Sequence, residues 1–217
     1  MERKSKICIS LSVCFLLAFI IWTALLCLVD VSPIGPNGSL VGLAKVNSSF
    51  HSFTGVHMNL YTVTDLLSVV PLGFVVGFGI VGVAQWIKRK KIFLVDRSII
   101  VLGVFYIAVM GLFLLFEEVV INYRPVLIEG VLEASYPSST TLLVMCVMPT
   151  ALMQLNTRIN NRSGRYIVCA LIIIFTAFMV ISRLVSGVHW LSDIIGGALL
   201  SIGLVLLYYY FSMCKVK

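Results

Sequence analysis

The chain has 217 residues, 60% of them hydrophobic and only 12% charged, with a formal net charge of +7. Soluble globular domains carry about 25% charged residues, so an ordinary soluble enzyme is excluded, and so is a disordered chain, which could not be this apolar. The 16 glycines follow no period and the six cysteines are scattered, which excludes collagen-like and disulfide-scaffold classes and leaves a polytopic helical membrane protein.

A bilayer is crossed by roughly 20 apolar residues in a helix. Uncharged runs of that order occupy residues 7–29, 66–87, 98–116, 134–157, 166–182 and 194–214. They are continuously apolar and do not alternate, which argues against a barrel. The sequence therefore predicts an all-α, polytopic bundle of six transmembrane helices. The first run follows Arg3, Lys4 and Lys6 as a signal peptide would. It is long for one, however, and no small-x-small cleavage site follows, so it reads as an anchor. The chain reads as a single membrane domain over 1–217: a first span over 1–29, an outer loop over 30–64, and a five-span core over 65–212.

Basic residues in short loops set orientation. Arg3, Lys4, Lys6, Lys88, Arg89, Lys90, Lys91, Arg97, Arg158, Arg162, Arg165, Lys215 and Lys217 share one side, and only Lys45, Arg124 and Arg183 fall on the other. Both termini are expected to be cytoplasmic. The positive charge is then a topology signal with affinity for anionic headgroups, and no basic stripe is left over for nucleic acid. The cysteines at 8, 14, 27, 146, 169 and 214 read as packing residues, with Cys214 beside Lys215 a candidate for acylation. Gln85 and Gln154 read as interface residues, and Pro149 is expected to kink the fourth span.

Three outer segments connect the spans. The longest, 30–64, opens on the turn residues Pro33, Gly35, Pro36 and Gly38 and carries His51 and His57. Its Leu40, Val41, Phe50, Phe53 and Tyr61 are too apolar for open solvent, which predicts a lid packed over the bundle. The second runs from Glu117 to about Pro137, through Asn122-Tyr123-Arg124-Pro125. The third runs from Ser182 and Arg183 to His189.

Charged groups at a membrane edge are costly unless they serve a purpose. Arg124 and Arg183 are the only outer arginines, and a guanidinium fork matches phosphate oxygens bidentately. The helix beginnings at Ser138–Thr140 and at His189 should present free N–H groups to an anion. His189 and Asp193, four residues apart, fall on one helical face. An aspartate that accepts one imidazole N–H leaves the other nitrogen as base or nucleophile. Separately, an i,i+4 His/Asp pair is a common structural contact, edge arginines snorkel, and serines at helix starts cap them. The conjunction of three segments on one face points to phosphoryl chemistry through a phosphohistidine, which needs no metal or other cofactor. No carboxylate cluster suggests a two-metal site. The span interiors carry no charge that would mark an ion path.

These residues resemble the type-2 phosphatidic acid phosphatases, a family related to vanadium haloperoxidases, whose motifs are KxxxxxxRP, PSxH and SRxxxxxHxxxD. Arg124-Pro125 is similar to the end of the first motif and Pro137-Ser138-Ser139-Thr140 to the second. Ser182-Arg183, His189 and Asp193 match the third at every fixed position. The resemblance spans roughly residues 65–212. It implies that His189 is the nucleophile, that Asp193 orients it, that Arg124 and Arg183 bind phosphate, and that Ser138 and Ser139 with nearby backbone N–H groups hold the remaining oxygens. It also implies a membrane lipid phosphate as substrate: phosphatidic acid, phosphatidylglycerol phosphate or undecaprenyl diphosphate. A six-span bacterial-type member facing outward from the plasma membrane most resembles a recycler of the undecaprenyl carrier for cell-wall synthesis.

Two positions depart from the motifs. Glu117 stands where the family has lysine, and Thr140 where it has the histidine that protonates the leaving group. A general acid contributes about 10²–10⁴ in rate. Three readings follow. The substrate is a diphosphate, whose leaving group needs little protonation; or Tyr123, Glu117, Glu118, His51 or His57 supplies the acid; or the chain binds lipid phosphates, or transports them, with impaired turnover.

Overall fold

The computed structural model describes residues 2–213, with side chains over 5–212; Cys214, Lys215 and Lys217, and the acylation expectation with them, lie outside the described residues. The helices are α1 (Glu2–Leu28), α2 (Ala44–Thr54), α3 (Met58–Leu67), α4 (Val69–Arg89), α5 (Arg97–Glu118), α6 (Ser139–Asn156), α7 (Arg162–Val185) and α8 (Leu191–Met213). Among the described residues there is no named strand, and six helices are long and apolar enough to cross a membrane. Their outward faces carry Ile20, Ile21, Val76, Ile80, Ile107, Ile174 and Ile181, all exposed, as lipid-facing helices require when no backbone group can be left to hydrocarbon.

Three of the helix starts that differ from the uncharged runs bear on the site. α3 and α4 together form one apolar stretch, Met58–Arg89, interrupted at Ser68. The interruption has a local cause: Pro71 has no N–H for the Leu67 carbonyl and its ring crowds that turn. Asp65, expected at the edge of a span, thus lies on a helix. The fourth span begins at Ser139 and not at 134. Residues before it are engaged in a hairpin, where Tyr123 pairs with Ala134 and Ile128 with Val131. Glu129 and Gly130, both at positive φ, form its two-residue turn in the mirror-image geometry that hairpins favour. The sixth span begins at Leu191, so His189 stands in the turn before it.

Helix α6 is the central post, packed by α4, α5, α7 and α8, while α1 lies along α8. Ser12 Oγ donates to the Gly203 carbonyl at 2.7 Å and Trp22 Nε1 to the Ser192 carbonyl at 3.1 Å, joining α1 to α8. Pro149 sits inside α6, which continues through it. Gln154 is fully buried and not interfacial: its amide donates to the Ser98 carbonyl at 3.2 Å and to the Tyr208 hydroxyl. Gln85 is tied to Asp96, donating to Oδ2 at 2.8 Å and accepting from its N–H at 2.9 Å.

The 30–64 segment is two short helices laid over one end of the bundle. His51 Nε2 donates to the Gly187 carbonyl at 3.1 Å and His57 N–H to the Ser186 carbonyl at 2.9 Å. The His51 ring also rests on Trp190, with centroids 5.4 Å apart. Gly187 makes this docking possible. It has φ +69°, and a Cβ there would lie 2.0 Å from the Gly55 carbonyl oxygen. Gly187→Ala is expected to displace the α2–α3 connection and lower the melting temperature in detergent by about 2–12 °C, the scale of 1–3 kcal/mol of backbone strain in a chain of this size. An unchanged melting curve would show that the contact is not needed.

Candidate active site

The end of the bundle beneath α2 and α3 gathers the hairpin, the start of α6, the end of α7 and the turn into α8. Asp193, in the first turn of α8, is fully buried and heavily engaged. Its Oδ2 accepts the Trp190 N–H at 2.9 Å, and its Oδ1 accepts Asn122 Nδ2 at 3.3 Å and Ser192 Oγ at 3.4 Å. Asn47 of α2 fixes Ser192 in turn, donating to its hydroxyl at 2.9 Å and accepting its N–H at 3.1 Å. The carboxylate is therefore clamped before it meets the imidazole. His189 Nδ1 lies 3.7 Å from Asp193 Oδ2, beyond a hydrogen bond, and has no other partner. The four-residue spacing thus works across a turn into a helix, not along a helical face.

The other imidazole nitrogen faces Arg124. Arg124 Nη1 donates to His189 Nε2 at 3.1 Å, which places the ring proton on Nδ1, toward Asp193. The hairpin holds Arg124 by its N–H to the Glu133 carbonyl at 3.0 Å. Its Nε is 3.0 Å from Glu133 Oε2, an ion pair without hydrogen-bond alignment. Arg183, at the end of α7, is 2% exposed. Its Nη2 pairs with Asp65 Oδ1 of α3 at 3.0 Å, while Nε and Nη1 have no partner. Both guanidiniums approach the ring of Tyr61, whose centroid lies 4.8 Å from Arg183 Cζ and 6.0 Å from Arg124 Cζ. Buried donors without acceptors are rare in folded proteins, and Arg183 holds two of them, while Arg124 Nε has only its ion pair with Glu133.

The serines of the second motif divide. Ser138 is fully buried. Its Oγ accepts from the Thr141 N–H at 3.5 Å and the Thr141 hydroxyl at 3.1 Å, and its N–H donates to the Asp193 carbonyl at 3.1 Å. Those contacts cap α6 and lock it to α8. Ser139 and Thr140 begin the helix, where N–H groups have no preceding carbonyl. Both line a cavity of ≈ 380 Å³ between α3, α4, α5 and α6, whose polar end also carries Asp65 and Ser68 and whose walls include Leu72, Val75, Val109 and Met110. Glu117 is exposed at the end of α5 and lines a separate small recess with Phe116, Tyr136 and Ser139. The acids that meet the arginines are Glu133 and Asp65.

Sequence reading missed Tyr61, Asp65, Asn47 and Asn122 as site residues. Asp65, Tyr61 and Ser68 recur at helical spacing, a signal visible only once 58–67 is read as a helix. Asn122 directly precedes the Tyr-Arg-Pro run and could have been suspected.

Burial holds the His189 imidazole far below its ordinary 6.5, at about 4; Asp193 opposes this, and the positive charges of Arg124 and Arg183 add to it. The ring is thus neutral near pH 7, its Nε2 lone pair accepting from Arg124.

No curated protein matches this chain. Its fold is similar to the crystal structure of the first transmembrane PAP2-type phosphatidylglycerolphosphate phosphatase from Bacillus subtilis, with a TM-score of 0.55 and 21% identity over 91% of this chain and 93% of that one. The model of the PAP2 superfamily matches residues 49–216, from within α2 to beyond the described end of α8. The chain belongs to the PAP2 superfamily.

Proposed function

We propose that this chain is a membrane lipid phosphatase that hydrolyses a lipid phosphate or diphosphate at the extracytoplasmic face of the plasma membrane, with undecaprenyl diphosphate or a related lipid phosphate as substrate. The observation that carries the reading is a pair of buried arginines, Arg183 with two unpartnered donors and Arg124 against a neutral imidazole, linked through the Arg183–Asp65 ion pair to an apolar cavity that Asp65 lines. The orientation rests on the basic loops at the opposite end of the bundle. A phosphate entering between the arginines takes the Arg124 N–H away from His189 and frees the Nε2 lone pair. Nε2 attacks phosphorus, the leaving oxygen departs into the cavity, and Asp193 stabilises the imidazolium phosphate through Nδ1–H. Water then attacks phosphorus and restores the neutral ring.

The test is phosphate release by purified protein in detergent with EDTA, from a panel of phosphatidic acid, phosphatidylglycerol phosphate and a polyprenyl diphosphate. Release from at least one supports the reading. Thr140 in place of a motif histidine favours a second reading, a catalytically impaired binder or transporter of lipid phosphates. Binding of the panel lipids without release from any of them would establish it.

The histidine gives a pH prediction with a definite sign. Only the neutral ring attacks, so kcat/KM should keep its value below pH 6.5 and lose it on an acid limb near pH 4, because kcat/KM reports the free enzyme. The unfolded chain takes up a proton near 6.5, and the folded protein takes it up only near 4. Stability should therefore fall as pH is lowered through that window. An acid limb at 6.5 would mean the ring is not buried as described.

A further inference from the structure

The geometry points to Asp65 as the proton donor to the leaving oxygen, in the place left empty by Thr140; this assignment rests on the lipid phosphatase reading above. The contacts run in sequence across the site. His189 meets Arg124 at 3.1 Å, Arg124 and Arg183 both approach the Tyr61 ring, and Arg183 meets Asp65 at 3.0 Å. The nucleophile thus contacts one arginine and the Asp65 carboxyl the other, so a phosphate held by both guanidiniums meets His189 through Arg124 and Asp65 through Arg183. Asp65 also lines the apolar cavity together with Ser68, Ser139 and Thr140. A lipid phosphate with its phosphate between the arginines and its tail in that cavity has its ester oxygen at the junction, beside Asp65. The carboxyl side chain is 61% exposed, so water reaches it.

The groups nearest Asp65 come from its own helix and from two others. Arg183 of α7 faces it, Tyr61 lies one turn before it on α3, and the neutral Ser139 and Thr140 face it from α6. An arriving phosphate claims Arg183 and sets a negative charge beside the carboxyl. A like charge gained and an opposite charge lost both favour the protonated form. As Nε2 of His189 bonds to phosphorus, the P–O ester bond breaks with its electron pair on oxygen, and the Asp65 proton moves to that oxygen to release the lipid alcohol. In the second step water attacks phosphorus and gives a proton to the Asp65 carboxylate. The P–N bond breaks with its pair on Nε2, and inorganic phosphate leaves.

The experiment is Asp65→Asn, alone and combined with Thr140→His, on three substrates graded by leaving group. They are a dialkylglycerol phosphate (alkoxide), a polyprenyl diphosphate (phosphate monoester) and 4-nitrophenyl phosphate (phenolate). Asparagine has the size of aspartate and can still accept from Arg183. The expected result is a kcat loss of about 10²–10⁴ on the alkoxide substrate, less than about tenfold on the other two, and recovery in the double variant. Unchanged kcat with a lower KM would make Asp65 a counter-ion only. Equal losses on all three substrates would make it a structural partner of Arg183. Either outcome overturns the assignment while leaving the lipid phosphatase reading intact. Wild-type protein that releases phosphate from none of the three removes the reading and the assignment together.

Discussion

His189→Ala should lower phosphate release by about 10⁶-fold, the scale seen when one member of a nucleophilic unit is removed. Binding of a lipid phosphate should survive, because the guanidiniums remain. A brief exposure to labelled substrate followed by denaturation should leave an acid-labile label on the wild type and none on the variant. Asp193→Asn should cost about 10⁴-fold, the effect of losing tautomer control in a comparable unit. It should also lower the melting temperature, which His189→Ala should change less. The reason is in the bonding: both carboxylate oxygens of Asp193 accept N–H groups, from Trp190 and Asn122. An amide turns one of those acceptors into a donor facing a donor, and a buried unsatisfied group costs about 1–3 kcal/mol. Full turnover by His189→Ala would end the phosphohistidine mechanism.

The six spans were legible because charge is expelled from hydrocarbon, so uncharged runs mark helices whatever their neighbours do. Their ends were less legible, since a charge can lie on a helix when a tertiary partner neutralises it. Asp65 is the case in point: it looks like a boundary in the sequence and is a helical residue paired with Arg183, 118 positions away. Tyr61 read as an apolar loop residue for the same reason, because the two cations that approach it come from distant segments. Local spacing was informative for His189 and Asp193, but the helical face it suggested is a turn, and the aspartate is clamped both locally, by Trp190 and Ser192, and by Asn122 from the distant hairpin. Ser138 shows the opposite limit. A serine after proline signals a helix cap, and the structure spends its hydroxyl on that cap, so Ser139, Thr140 and their N–H groups are what the cavity meets.

Arg183 offers the sharpest separation of function from stability. Arg183→Ala should lower kcat by about 10²–10³, the effect of removing one preorganised donor from a developing negative charge, and should raise KM as well. Arg183→Lys should recover only part of this, because an ammonium supplies a point charge where the guanidinium offers two unpartnered N–H directions in a fixed plane. Stability should move little or even rise. The guanidinium is 2% exposed and its one carboxylate partner is 61% exposed. Removing it relieves the desolvation of a buried cation and leaves Asp65 free to hydrate. A residue kept for folding would give the reverse pattern, a large fall in melting temperature with activity per folded molecule retained. Arginine held half-paired at a buried helix end is instead what a site must maintain if its missing partner is an anion that comes and goes with each turnover, and melting curves with and without added inorganic phosphate should differ for the wild type and coincide for Arg183→Ala.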